Sequence, residues 1–473
     1  MAALQAGRWD EGIARLRGVL ARQPQFAEVW SNLGFALRAV GRRDEAREAL
    51  ERAVEIAPGL PDAWNLLGLV EQEVGRHEVA IAYFQRALAL RPDFALAVVN
   101  QANSAQALGR LDAAVEGYAR ALEMAPRNAG LHYNLGHLHQ KATGDYAKAR
   151  DAYRAAIALD PSLADAHLNL ANVLFALGSY DEGWRVFAWR PQRIAHERAV
   201  ARAGGRYEPP APGVLPRTLR LRGEQGLGDM LFFLRFAPIA VSADVRIAFN
   251  GDARLHPILA RTGLFEALSD DLSPGSNELL VADLPPVVEP MGERFPAALA
   301  LAADARSREA MERRLRDAGP PPWIAITWRA GERSRGLFDR LFKEAPIADL
   351  GAALKGVRAT WISVQRAPLA GEREALARAI AAPVHDFSDA NENLESALGL
   401  LDLVTDYVGV SNTNTHLRAG LDRPGRVLVP FAPEWRWGLA GTSPWFPAMT
   451  TYREKAGGGW VRALADLRRD MLP

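Results

Sequence analysis

Three short stretches of this chain hold residue types that can do chemistry. The first is Gly223-Glu224-Gln225-Gly226-Leu227-Gly228-Asp229, between the strand-like run Thr218–Leu221 and the segment MLFFLRFAPIA. Its glycines let backbone amides approach an anion, and a helix starting there adds positive dipole. The spacing is not that of the dinucleotide fingerprint. Read alone, Asp229 equally suits a residue that caps or begins the helix. The second stretch is Ser411-Asn412-Thr413-Asn414-Thr415-His416, after the apolar run Tyr407–Val410. Ser, Asn and Thr supply neutral donors for a phosphate at a helix N-terminus; the alternative is a plain N-cap run with a buried His416. The third is the basic loop after Trp328, with Arg329, Arg333, Arg335 and Lys343. Lysine is scarce here, at five residues in the chain, so Lys343 stands out. A solvated basic loop is the plain reading.

These stretches need a scaffold. Strand-like runs TLRLRG, VRIAF, LLVADL, WIAITW, ATWISV, YVGV and RVLVP alternate with helical segments after residue 216. That pattern implies parallel sheets with crossover helices, and ligands bind at the carboxyl ends of such strands. A break at Ala318–Pro322 separates two Rossmann-like halves.

Before residue 191 the chain repeats itself. Prolines fall at 24, 58, 92, 126 and 161, and glycines at 7, 41, 75, 109, 144 and 178, spaced 34 residues with one insertion. Small residues recur at Ala46, Ala80, Ala114 and Ala149, and large ones at Leu50, Phe84, Tyr118, Tyr153 and Phe187. Glycine ends the first helix of each pair, alanine permits close approach, and proline stops the second helix. This is the tetratricopeptide repeat (TPR) pattern, and such helix pairs stack into a superhelix. The first unit begins about halfway along, so either the protein starts upstream or the chain is a fragment. The last, Asp165–Arg190, has Gly183 where alanine is expected and reads as a cap that docks on the following domain. Asn32, Asn100, Asn134 and Asn169 share one repeat phase, with Leu66 as the exception. Their amides offer a ladder of donors and acceptors for an acceptor peptide backbone; the alternative is hydrogen bonding within the array. The expected domains are a TPR array at 1–190, a Gly/Pro-rich linker at 191–216, and lobes at 217–318 and 319–473.

The bulk composition narrows function by exclusion. Net charge is +1 from 57 basic and 56 acidic residues, which argues against nucleic acid or an anionic membrane as main partner. With no cysteine, thiolate metal sites, disulfides and a cysteine nucleophile are excluded. The N-terminus has no apolar signal region and no charge-free run of about 18 apolar residues occurs, so a cytoplasmic setting is expected.

GEQGLGDMLFFLRFAPIA resembles the first motif of bacterial proteins that join TPR arrays to a domain similar to the family 9 glycosyltransferases, which include heptosyltransferases and have the GT-B fold. The resemblance covers nearly the whole chain in the same motif order. It implies an α-solenoid TPR superhelix followed by an α/β GT-B fold of two Rossmann-like lobes. It also implies a metal-independent glycosyltransferase that takes a nucleotide-sugar as substrate and needs no cofactor. By that resemblance Asp229 is the base on the acceptor hydroxyl, and transfer does need a carboxylate within hydrogen-bond reach. Gly226, Gly228, Lys343, Gln365, Ser411, Asn412, Thr413 and His416 fall on the donor-binding motifs. One departure stands out: the family ends its strand in aspartate-threonine, and here the pair is Ser411-Asn412. PFAPEWRWGLAGTSPWFPAM is also similar to the relatives' signature, with Trp435, Trp437 and Trp445 read mostly as core. Relatives of this layout include enzymes that glycosylate flagellin, and the resemblance thus implies a protein on the TPR array as acceptor. The alternative is a TPR interaction module with an inactive transferase-like domain. A weaker one is an enzyme on a glycolipid or polysaccharide.

Overall fold

The computed structural model describes residues 8–272, 278–288, 295–330, 343–456 and 459–472. The chain forms two compact units, Met1–Leu163 and Ala164–Pro473.

The first unit is built of helices: α1 (Trp9–Leu20), α2 (Ala27–Ala39), α3 (Arg43–Ile56), α4 (Pro61–Glu73), α5 (His77–Leu90), α6 (Ala95–Ala107), α7 (Leu111–Met124), α8 (Ala129–Leu138) and α9 (Tyr146–Leu159). Their pattern shows why. In α3, Ala46, Ala49, Leu50, Ala53 and Val54 are buried, a stripe at helical period. Gly41, Gly75, Gly109 and Gly144 take φ of +70° to +80° between paired helices, a turn that favours glycine. Ala46, Ala80, Ala114 and Ala149 are fully buried. The repeat prolines do more than stop helices: Trp30 and Trp64 each donate Nε1 to the carbonyl of Pro24 and Pro58 at 2.8 Å. The one-residue insertion is absorbed as a π-helical turn at His139–Thr143, the usual way an α-helix takes in an extra residue.

The second unit opens with α10 (Ala164–Ala176) and α11 (Tyr180–Phe187), the last repeat pair, and α12 (Pro191–Arg202). Gly183 sits where a Cβ would lie 2.5 Å from the Phe175 ring, which explains the missing alanine. The segment expected as linker begins with a helix, because Pro191 at its first position is compatible with helix initiation.

Two parallel sheets follow. The first contains β1 (Thr218–Arg222), β2 (Arg246–Asn250), β3 (Phe265–Ser269) and β4 (Glu278–Leu280), in the order β3-β2-β1-β4. The second uses β5 (Trp323–Ile326), then, beyond a short antiparallel pair β6 (Arg329–Ala330) and β7 (Lys343–Glu344), β8 (Thr360–Ser363), β9 (Val384–Asp386), β10 (Asp406–Val410), β11 (Gly425–Val429) and β12 (Met449–Arg453). Its order is β12-β11-β10-β5-β8-β9. Counting that sheet's strands as they occur, this is 3-2-1-4-5-6 when read from the opposite edge, the doubly wound arrangement with its crevice between β5 and β10. The first sheet repeats the 3-2-1-4 part, with its reversal between β1 and β4. Two helices start at these reversals: α13 (Leu227–Leu234) after β1 and α14 (Thr413–Gly420) after β10. One apolar core runs from Phe175 and Trp184 through Leu221 and Phe232 to Trp435 and Trp445.

Candidate functional site at the carboxyl ends of the sheets

Asp229 lies in the first turn of α13, just beyond the carboxyl end of β1. Gly226 is the N-cap and its carbonyl accepts from Met230 N at 3.0 Å. Gln225, before it, has φ of +65°, a left-handed conformation that costs a non-glycine residue about 1 kcal/mol or more. Gly228 is needed for close approach: a Cβ there would lie 3.0 Å from His416 Cδ2 and 3.5 Å from the Thr413 Cα. The N-terminal turns of α13 and α14 therefore touch, and Gly228, Thr413 and His416 are brought together.

A row of alternating charges crosses this junction. Arg436 Nη2 donates to Asp229 Oδ1 at 2.6 Å. The same guanidinium donates to Glu434. Lys343 Nζ donates to the other Glu434 oxygen at 2.7 Å and to the Ser411 carbonyl at 3.2 Å. Asp229 and Lys343 keep 33% and 25% of their side chains exposed, while Arg436 keeps 8%. Glu434 and Arg436 were not singled out from sequence. The signal was there, as two charges alternating with tryptophan in Glu434-Trp435-Arg436-Trp437. Ala432, two residues before Glu434, has φ of +56°, so a second left-handed residue borders the cluster.

Electrostatics follow from burial. Burial pushes the Glu434 carboxyl up, but the Lys343 ammonium and the Arg436 guanidinium outweigh it and hold it well below the usual carboxylate range. Burial lowers Arg436, and Glu434 and Asp229 more than restore it. Burial, reinforced by Arg436, drives His416 well below its ordinary value, so its imidazole is neutral. Arg235, wholly buried, is pushed down to about 9 by burial and by Arg436, and its Nη1 donates to the Trp445 carbonyl at 2.8 Å.

The remaining sequence-derived candidates have structural duties. Asn412 caps α14, accepting from Asn414 N at 2.9 Å and Thr415 N at 3.3 Å, in a capping box with Thr415. Its amide nitrogen donates to Thr327 Oγ1 and its oxygen accepts from Tyr407. Gln365 uses all four hydrogen-bonding capacities of its amide on backbone: Trp328 N, Arg329 N, Arg329 O and Arg366 O, each at 3.0 Å. It acts by pinning β6, the strand that pairs Ala330 with Lys343. Arg329 is held by Glu372 at 3.0 Å. Arg333 and Arg335 lie outside the described residues. Trp435, Trp437 and Trp445 are buried core.

Of the asparagine ladder, Asn32, Asn100 and Asn134 lie half-buried on α2, α6 and α8 of the first unit. Asn100 donates to Asn65 at 3.0 Å. Asn169 is buried within the second unit.

Among the described residues, no group of three or more His, Asp or Glu is placed to hold a metal ion, and no helix is long and apolar enough to cross a membrane.

Residues 25–93 match the family described as tetratricopeptide repeat, and residues 102–142 and 141–178 match that described as TPR repeat. Solved structures similar to the chain include MamA, residue 41 to its end, from Desulfovibrio magneticus RS-1, with 20% identity, a TM-score of 0.33, and coverage of 37% of this chain and 96% of that one. Another is YrrB, described as a TPR protein with an unusual peptide-binding site, with 16% identity, a TM-score of 0.34, and coverage of 39% and 96%. A thermophilic TPR protein of Thermus thermophilus has 22% identity, a TM-score of 0.30, and coverage of 37% and 97%. No curated protein matches the chain. Residues 25–178 are tetratricopeptide repeats, and the region after them is α/β, with two parallel sheets.

Proposed function

We propose that the α/β region is a GT-B glycosyltransferase of the family 9 type, and that the repeats present a protein acceptor to it. The observation that carries this reading is the convergence of Asp229, Lys343 and the N-terminus of α14 at the carboxyl ends of both sheets. In the reaction, Asp229 takes the proton of the acceptor hydroxyl as its oxygen bonds to the sugar's anomeric carbon. The bond from the anomeric carbon to the phosphate oxygen breaks, and the nucleoside diphosphate leaves with the electron pair. Lys343 and the α14 dipole stabilise that leaving charge. The asparagines of the first unit hold the acceptor's backbone.

The test is a thermal-shift screen with UDP, GDP, ADP, CDP and CMP. A ligand at 100 times its Kd stabilises by about 2.7 kcal/mol, a readily measured rise in Tm. The matching nucleotide-sugar is then assayed for nucleotide release with candidate acceptor proteins.

Two observations favour a second reading, an interaction module whose transferase-like domain is inactive. Lys343 is already paired with Glu434, and Ser411 stands where the resemblance expects aspartate. Absence of any nucleotide-dependent shift would establish this reading and end the first.

A further inference from the structure

We infer that Arg190 is a positioning residue for the Gly223–Asp229 loop, through which the last repeat pair sets the geometry at Asp229. Arg190 follows α11 and is 1% exposed. Its Nη2 and Nε grip Glu224 at 2.6 and 3.1 Å, and its Nη1 donates to Asp283 at 2.7 Å. Both carboxylates are 5% exposed. Each is anchored further: Glu224 accepts from Ala282 N at 3.2 Å, and Asp283 accepts from Tyr207 at 2.7 Å and Arg193 at 3.2 Å.

Burying such a network brings little stability, because desolvation consumes most of the Coulombic gain, and apolar side chains of like volume would serve as well. What the guanidinium fork supplies is direction: two parallel bonds fix the plane of the Glu224 carboxylate. Glu224 is the second residue of the loop and immediately precedes Gln225 with its φ of +65°. A clamp on Glu224 therefore acts where the loop is strained, a few residues before Asp229.

A second, independent contact reaches Asp229 from the other side. Trp435 packs on Phe175 at 4.6 Å and on Trp184 at 5.8 Å between ring centroids, both from the last repeat pair. The next residue, Arg436, holds Asp229. The loop that carries Asp229 and the segment that carries its partner are thus both gripped by residues 175–190. The functional half of this inference rests on the reading of Asp229 proposed above; the half concerning loop order does not.

The test uses the full chain with Arg190→Lys, Arg190→Met, and Arg190→Met combined with Glu224→Gln and Asp283→Asn, which removes the buried charges together and keeps the fold. Hydrogen exchange is followed in peptides spanning 223–230 and, as a control, 360–410. In all three variants exchange at 223–230 is expected to rise about tenfold or more with the control unchanged, as for local opening. Lysine keeps the charge but lacks the fork, so it restores melting temperature without restoring loop protection. Loop protection equal to wild type in Arg190→Lys or in the triple variant, or a rise shared equally with the control, overturns the inference. Turnover is read alongside: kcat falls about 10²-fold, as for a misplaced reacting group, while affinity for UDP, GDP, ADP or CDP stays within about twofold. Equal loss of affinity and kcat also overturns it. A wild type that binds none of the five nucleotides of the thermal screen defeats the donor reading, and the exchange result then decides Arg190.

Discussion

Arg436 reaches from the segment after β11 to Asp229 on α13, Nη2 to Oδ1 at 2.6 Å. This bond joins the carboxyl ends of the two sheets of the second unit. Arg436 also holds Glu434, which holds Lys343, so four charges along the junction are ordered as one row. A change at any one of them is felt by its neighbours.

Asp229→Asn keeps shape and a hydrogen-bonding oxygen for Arg436 but removes the base. Sugar transfer is expected to fall about 10²–10⁴-fold, with nucleotide affinity nearly intact. Initial rates beside calorimetric binding check this. Equal rates in both proteins would leave Asp229 as a helix-start residue only.

Lys343→Ala removes a cation from the end of β10, so nucleoside diphosphate binding weakens by about 1–3 kcal/mol. Glu434→Gln removes the competing anion and frees the ammonium, so it is expected to tighten the same binding. Titration of both variants with the diphosphate selected by the thermal screen compares the two signs. Identical affinities in wild type and Lys343→Ala would remove Lys343 from the site.

Stability should depend on pH in two windows. His416 is buried and its folded pKa is depressed, as are those of His139 and His196. Above the unfolded histidine value near 6.5 both states are neutral, and these groups cost nothing. As pH falls below it, the unfolded chain takes up protons that the folded chain refuses, so stability drops. Glu434 is depressed from its ordinary 4.5, so its contribution is present above that value and lost as pH falls further. Denaturant melts from about pH 8 to about pH 5 should show the first loss, with a shallower slope in His416→Gln. An unchanged slope would mean that His416 titrates normally.

Gly228→Ala drives a methyl against buried His416 and the Thr413 backbone. It should cost about 1–3 kcal/mol, as for other overpacked sites. Gly226→Ala meets no such wall, its nearest neighbour being Asp229 Oδ2 at 3.7 Å, and is the matched control. Equal melting temperatures for the two variants would contradict the close approach of α13 and α14.

Replacing Asn32, Asn100 and Asn134 together by alanine should abolish capture of a protein acceptor and leave helicity of the array unchanged. Circular dichroism with a pull-down of a glycosylated candidate tests both parts. Retained capture would confine these asparagines to bonds within the array, such as that from Asn100 to Asn65.

The repeats were legible in sequence because each position faces the same neighbour in every unit. Alanine at a helix contact and glycine in a left-handed turn recur every 34 residues, and local chemistry suffices to read them. Buried parallel strands were legible too, as apolar runs such as WIAITW and YVGV. Within the two parallel sheets three strands were not: β3, β9 and β12 lie at sheet edges, where one side is open and the residues, such as Val384-His385-Asp386, are mixed. Asp229, Lys343 and Ser411 could be named from the motifs that carry the resemblance: Ser411 directly follows β10, Asp229 lies in the first turn of α13, and Lys343 opens β7. What only tertiary structure decided is what each side chain spends its bonds on. Asn412 and Gln365, both with polar groups suited to a phosphate, are committed to a cap and to a backbone clamp. Glu434, Arg436, Glu224 and Arg190 gain their roles from partners 34 to 207 residues away, and no local pattern reports a contact at that distance.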